Sequence, residues 1–189
     1  MYFKRFRDVL FLSVLLLLCR AGVSQNATTP FGEFTAGEIA LTQCDFDKEA
    51  EAVVLLDQAR STYDDQYQLI TQHRIRMKVL KERGIENGNI RILFYGDDHF
   101  ETIRNISAVV LNMEGNRPVR KALERKSIYT KKLNAYYSEV TFALPDIKVG
   151  SLFEYEYESV MQSYGGLREW VFQKELPVVL SSSRQGQRP

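Results

Sequence analysis

The stretch Leu69-Ile70-Thr71-Gln72-His73-Arg74-Ile75-Arg76-Met77-Lys78-Val79-Leu80 decides the fold class. Leu69, Thr71, His73, Ile75, Met77 and Val79 share one parity, and Gln72, Arg74, Arg76 and Lys78 share the other, with Ile70 and Leu80 as apolar exceptions near the ends. Alternation with period two predicts a half-buried strand, whereas a helix would scatter the same apolar residues around its circumference. Ser151 to Val160 repeats the pattern, with Phe153, Tyr155 and Tyr157 on one face and Glu154, Glu156 and Glu158 on the other. If the two strands are neighbours, the basic row Arg74, Arg76, Lys78 meets the acidic row across the sheet. Such solvated pairs stabilise by up to about 1 kcal/mol each, and Arg76 with Glu156 is the pair expected to couple.

Working outward, Ala52 to Leu56 reads as a short buried strand, Ser61 to Gln66 as a turn and Gly84 to Asn89 as another. Ile90 to Tyr95 is the next strand, Gly96-Asp97-Asp98 a turn, and Ile106 to Leu111 a strand leading to a hairpin at Glu114-Gly115-Asn116. Val140, Phe142 and Leu144 alternate until Pro145-Asp146 breaks the strand, and Trp170-Val171-Phe172 is a final short strand. Short strands at regular intervals, without long helices between them, predict an all-β antiparallel sandwich. Thr35 with Glu38 three residues on is a capping-box pattern, so a short helix is expected over Ala36 to Leu41, with a further helical turn over Asp47 to Ala52.

The ends carry different signals. Lys4, Arg5 and Arg7 precede the apolar run Val9 to Leu18, and Gly22-Val23-Ser24 offers small residues for cleavage, so residues 1–24 read as a signal peptide. The run is shorter than the roughly 20 residues that span a bilayer. Cys19, between Leu18 and Arg20, is a poor match to a lipid-modified cysteine. The leader carries four basic residues and one acid, so removing it turns the formal net charge of +1 into −2. A near-neutral chain of mixed sign has no electrostatic footprint for nucleic acid. Residues 25–51 form a lead-in, 52–180 the β domain, and 181–189 a polar tail, expected to be the end of a truncated or frame-shifted reading frame. Cys44 then has no partner for an internal disulfide.

Few residues suggest chemistry. His73, on the inward face of a strand, is expected to be a core histidine hydrogen-bonded to its surroundings. Asp97-Asp98-His99 supplies three potential ligands, yet neighbouring positions on a turn diverge, so no metal site is assigned. Cys44 lies in Thr-Gln-Cys-Asp-Phe-Asp, where flanking acids disfavour a reactive thiolate. A cysteine-dependent enzyme pairing Cys44 with a histidine is therefore the weakest reading, and no catalytic, cofactor-binding or metal residue is assigned. Tyr63, Tyr67, Tyr136, Tyr137, Tyr155, Tyr157 and Trp170 fit core positions, and the alternative is a carbohydrate-binding module that exposes some of them to a polysaccharide. Asn26 and Asn105 begin glycosylation sequons.

Phe31-Gly32, Phe46 to Asp57, His73 to Leu80, Lys126 to Lys132, Phe142 to Tyr157 and Trp170-Val171-Phe172-Gln173, in that order, resemble the domain of unknown function 3857. That domain precedes transglutaminase-like cores in exported proteins of Gram-negative bacteria. The resemblance implies a β-sandwich in front of a papain-like Cys-His-Asp core that would begin after the Trp-Val-Phe-Gln segment, and no residue here matches that core's nucleophile or base. It further implies a periplasmic or outer-membrane-associated location and a non-catalytic role beside a transglutaminase-like partner domain. That partner is expected to cover apolar surface around Trp170 to Leu180, which without it would be exposed and poorly soluble.

Overall fold

A computed structural model describes residues 29–162, 170–172 and 175–186. The signal peptide, Cys19 and Asn26 lie outside the described residues. Two units are distinguished, Met1–Pro30 and Phe31–Pro189, and the architecture below is that of the second. Its described residues form one short helix, α1 (Ala36–Ala40), and nine strands: β1 (Ala52–Tyr63), β2 (Leu69–Val79), β3 (Asn89–Tyr95), β4 (Glu101–Glu114), β5 (Arg117–Ala122), β6 (Tyr129–Lys132), β7 (Tyr137–Ala143), β8 (Leu152–Met161) and β9 (Ser181–Gln185). They form a six-stranded sheet in the order β5-β4-β8-β2-β1-β9 and a three-stranded sheet in the order β3-β7-β6. The all-β sandwich expected from the alternation is the fold observed.

The alternating parity also sets which residues meet. Ala52, Val54, Ile75, Met77, Val79, Val110 and Phe153 project from the large sheet, and Ile90, Ile92, Phe94, Val140, Phe142 and Leu144 project from the small one, into one buried cluster. Burying apolar area at roughly 25 cal/mol per Å² makes this seam the main stabilising element. The β4–β5 hairpin turns at Gly115, whose φ of +60° suits glycine. Asp97 to His99 turns the chain, as the Gly-Asp-Asp sequence predicts, with Asp98 at φ +46°, outside helical geometry.

Several expectations need correction. Ser61 to Gln66 is not a turn from its start, because β1 continues to Tyr63. The Ser61 and Thr71 hydroxyls pair at 2.9 Å across the sheet, and the turn is nucleated by Asp64, whose Oδ1 accepts from the Gln66 and Gln68 amides. Residues 82–88 wind into a 3-10 segment instead of a simple turn. The expected strand Ile106 to Leu111 is the middle of a 14-residue strand with a bulge between Arg104 and Ser107. Asp47 to Ala52 is a turn leading into β1, not a helix.

The largest corrections fall at the C-terminal end. Trp170 to Phe172 lies outside any strand, while Ser181–Gln185, expected to be a polar tail, is β9. It pairs in parallel with β1 from Asp57↔Ser181 to Ser61↔Gln185, so the sandwich is not wholly antiparallel. The pairing is made by the main chain: Asp57 N donates to Leu180 O and Gly186 N to Ser61 O, each at 2.8 Å. An edge strand that would otherwise leave N–H and C=O groups open is capped by a segment whose side chains carry no apolar signal.

Candidate functional site

The outer face of the large sheet is where the charged rows lie. The register is Arg74↔Glu156 and Arg76↔Glu154, so the strands are neighbours as expected, with Arg76 opposite Glu154 and not Glu156. The expected solvated pairing is overturned for this part of the row, because Arg76 and Lys78 are 3% and 4% exposed and Glu154 is fully buried. The cover is the lead-in. Phe31 to Ala50 crosses this face, and the charges hold it there. Glu154 Oε1 accepts from Arg74 Nε at 2.6 Å, and Glu154 Oε2 accepts from Arg76 Nη2 at 3.1 Å and from the Gly32 amide at 2.7 Å. Arg76 Nη1 donates to both carboxylate oxygens of Glu38, at 2.8 and 3.1 Å, while the Phe34 ring stacks 4.9 Å from its guanidinium carbon. Lys78 Nζ donates to Ile39 O at 2.9 Å.

Local sequence explains why the lead-in presents these groups. Glu38 is the third helical residue of α1, and the reciprocal capping box with Thr35 fixes its backbone. Gly32 has φ +75°, and a Cβ there would lie 3.3 Å from Val109 Cγ1, so glycine lets its amide reach Glu154. Burial opposes ionisation of Glu38, but hydrogen bonds from Arg76 and Thr35 outweigh it and hold the carboxyl below its ordinary pKa. A depressed carboxyl pKa stabilises the folded state above the unfolded value of 4.5 and loses that contribution as pH falls through the folded value. Protection of the Gly32 amide from hydrogen exchange, corrected for intrinsic rates, is therefore expected to fall in acid below about pH 4.5, and Glu38→Gln to remove the step. Protection that is flat from pH 6 to pH 3 would contradict this.

Beyond the lead-in the outer face is open. Gln58, Arg60, Gln72, Arg74, Glu156, Glu158 and Arg184 line a shallow polar concavity. Burial raises the Glu156 pKa, with Arg74 opposing and Glu154 and Glu158 reinforcing. Asn105, the second sequon, sits at the β4 bulge with φ +54° and donates from Nδ2 to Glu158 at 2.7 Å.

The inner face carries a second feature. Beside Ile92 and Leu93 of β3, the inner-face residues Asp57, Ser61, Thr71, His73, Tyr155 and Tyr157, with Glu101 and Trp170, line a cavity of about 310 Å³. His73 stacks on Tyr157 at 4.6 Å and faces Trp170 at 6.4 Å, and Trp170 is tied to β9 by Nε1 donating to Ser181 Oγ at 3.0 Å. Glu101 is buried, accepting from Ser159 Oγ at 2.7 Å and from the Tyr95 amide at 2.9 Å. Burial, then the nearby Tyr157 and Asp57, push the Tyr155 phenol well above its ordinary value. The wall can hydrogen-bond a small polar molecule or water. Residues 163–169, which join β8 to Trp170, lie outside the described residues.

Cys44, within the lead-in, is 2% exposed and packs with Ala50 and Val53 against the outer face. His73 is on the inner face, so the sheet separates the thiol from the imidazole. His73 is a wall residue of the cavity, half-buried, and not part of the apolar seam. At Asp97-Asp98-His99, Asp98 and His99 adopt positive φ, and among the described residues no group of three His, Cys, Asp or Glu side chains converges as a metal site. Of the aromatics singled out from sequence, Tyr155 and Tyr157 are inward, whereas Tyr67, Tyr136 and Tyr137 are exposed. Asp57 and Glu101 escaped the sequence reading, and Glu38 was legible only as half of a capping box. Asp57 has the parity of Ala59 and Ser61 within β1, a signal hidden by ending that strand at Leu56.

Residues 65–184 match the family model described as a domain of unknown function with solved structure, DUF3857. The chain belongs to the DUF3857 family. Within this DUF3857 domain the match runs from the β1–β2 turn into β9, so the polar strand is part of the family's extent and not an appendage. No curated protein matches the sequence. Among solved structures, the DUF3857 chain is similar to one titled a “putative protease” from Parabacteroides distasonis, at 11% identity and a TM-score of 0.48, covering 59% of this chain. The aligned part spans 23% of that structure's length.

Proposed function

We propose that this DUF3857 chain is the non-catalytic β domain at the front of an exported, periplasmic or outer-membrane-associated transglutaminase-like protein, with a structural or interaction role. The observation that carries the reading is the placement of Cys44 and His73 on opposite faces of the six-stranded sheet. Thiol catalysis needs a base within hydrogen-bond reach and an electropositive setting, and Cys44 instead sits in an apolar cluster. The densest group of charges, Arg74, Arg76, Glu154 and Glu38, is spent on fastening the lead-in. Val171, Phe172 and Val179 are more than half exposed beside the β1–β9 edge, which suits coverage by a following domain.

Two measurements test this. With Cys19 replaced by serine, Cys44 is expected to stay unreactive towards a thiol reagent at neutral pH, at a rate unchanged by His73→Ala. Rapid labelling that depends on His73 would refute the non-catalytic role. Joined to a transglutaminase-like domain from its own locus, the chain is expected to gain hydrogen-exchange protection at Val171, Phe172 and Val179. A locus that encodes no such domain, or unchanged exchange at those residues, would refute the partner.

A further inference from the structure

We propose that the end of the three-stranded sheet bearing Tyr95, Phe100, Tyr136 and Tyr137 is a binding site for a neutral hexopyranose glycan. The proposal is independent of the partner domain considered above. Tyr95 and Tyr137 are directly paired on β3 and β7, and their rings meet edge to face at 5.6 Å. Tyr136 lies nearly parallel to Tyr95 at 6.1 Å, and Phe100 closes the group edge-on at 5.5 Å. Core packing accounts for rings only when they are covered; here Tyr136 and Tyr137 are 56% and 42% exposed.

The backbone beneath these rings is fixed before any ligand arrives. Asn134 Oδ1 accepts from the Tyr136 and Tyr137 amides, both at 2.9 Å. Tyr136 O in turn accepts from the Gly96 and Asp97 amides at 2.9 and 3.2 Å, locking the β3–β4 turn to the β6–β7 turn. A Cβ at Gly96 would come within 2.8 Å of Ser138 Oγ, so the close approach of the two turns requires glycine. Rings held by a locked backbone lose little conformational entropy on binding.

The chemistry favours a sugar over an apolar protein surface. Each exposed ring carries a hydroxyl at its tip, and Asp97 stands beside them. Desolvation, followed by the Asp97 carboxylate and the two neighbouring phenols, raises the Tyr95 pKa, which puts these polar groups within one another's field. A pyranose presents a face of C–H groups to an electron-rich ring and a rim of hydroxyls to carboxylate and phenol. An aliphatic partner would leave those hydroxyls and Asp97 desolvated without compensation. The Asp97 carboxylate beside the rings disfavours a polyuronate, so the proposed ligand is a neutral glycan.

Affinity electrophoresis of the full chain in native gels containing mixed-linkage β-glucan, galactomannan, glucomannan or polygalacturonate tests this. Retardation is expected in at least one of the three neutral polysaccharides and not in polygalacturonate. Tyr136→Ala and Tyr137→Ala should each weaken it about tenfold or more. Tyr136→Phe should lose less, and Phe46→Ala, at an exposed site on the lead-in, nothing. No retardation by any neutral polysaccharide, retardation only by polygalacturonate, or retardation unchanged in both tyrosine-to-alanine variants would overturn the proposal. Circular dichroism of the variants separates loss of binding from loss of fold.

Discussion

Replacing Glu154 by alanine is expected to destabilise the domain by about 3–5 kcal/mol, measured by urea or guanidinium unfolding. Glu154 is fully buried at the centre of the outer face, where Arg74, Arg76 and the Gly32 amide all donate to its carboxylate. Its removal leaves the 3%-exposed Arg76 with Glu38 as the remaining carboxylate within reach, and takes the acceptor from Gly32. A buried charge stripped of a partner costs far more than an exposed pair is worth. Domains of this kind are stable by roughly 5–15 kcal/mol in total, so the loss is a large fraction. The lead-in should also loosen, and Cys44 within it should become reactive towards a thiol reagent. Replacing the pair together, Arg76→Met with Glu154→Leu, is expected to be milder than Glu154→Ala alone because no charge is left behind. A loss below about 1 kcal/mol for Glu154→Ala, with Cys44 still protected, would mean that the pairs behave as solvated surface contacts.

Phe153→Ala, one residue earlier on the same strand, is expected to cost a similar 3–5 kcal/mol for a different reason. Phe153 is fully buried on the inner face, in the seam with Met77, Val110 and the small sheet. Truncation forfeits the transfer of the ring out of water and leaves a cavity that the two sheets can only partly close. Phe153→Leu should lose less than half as much, since it retains most of the volume. The two neighbours are told apart by what fails first. The Phe153 variant should keep the Gly32 amide and Cys44 protected until global unfolding, whereas the Glu154 variant should lose both below the unfolding transition. If Phe153→Ala were tolerated at under 1 kcal/mol, the seam between the sheets would not be the stabilising core.

Glu154 and Phe153 also mark how far alternation could be read. Parity assigned Phe153, Ile75, Met77 and Val79 to the inner face correctly, because burial between two sheets selects apolar side chains at every second position. The same parity placed Arg76 and Glu154 opposite water, and they are covered. Nothing in a strand's own residues tells a solvated charge from one capped by a segment 38 or more residues away. The partial signals were the capping box at Thr35 and Glu38 and the glycine at Gly32, which are local features with no address. The candidate sites show the same limit. Tyr136 and Tyr137 could be recognised as aromatics, but only the pairing of β3 with β7 and the junction of two turns gather them with Tyr95 and Phe100.

From its amino acids alone this chain declares an all-β sandwich, the inward residues of its long strands and its DUF3857 membership. These follow from short-range periodicity and segment order, which linear order preserves. The folded chain alone decides that the lead-in straps the outer face, that Ser181–Gln185 closes the sheet edge, and that Cys44 and His73 are kept apart. Those outcomes rest on main-chain hydrogen bonds and on charges brought together from distant positions, which are energies of proximity and so exist only once the sheets have formed.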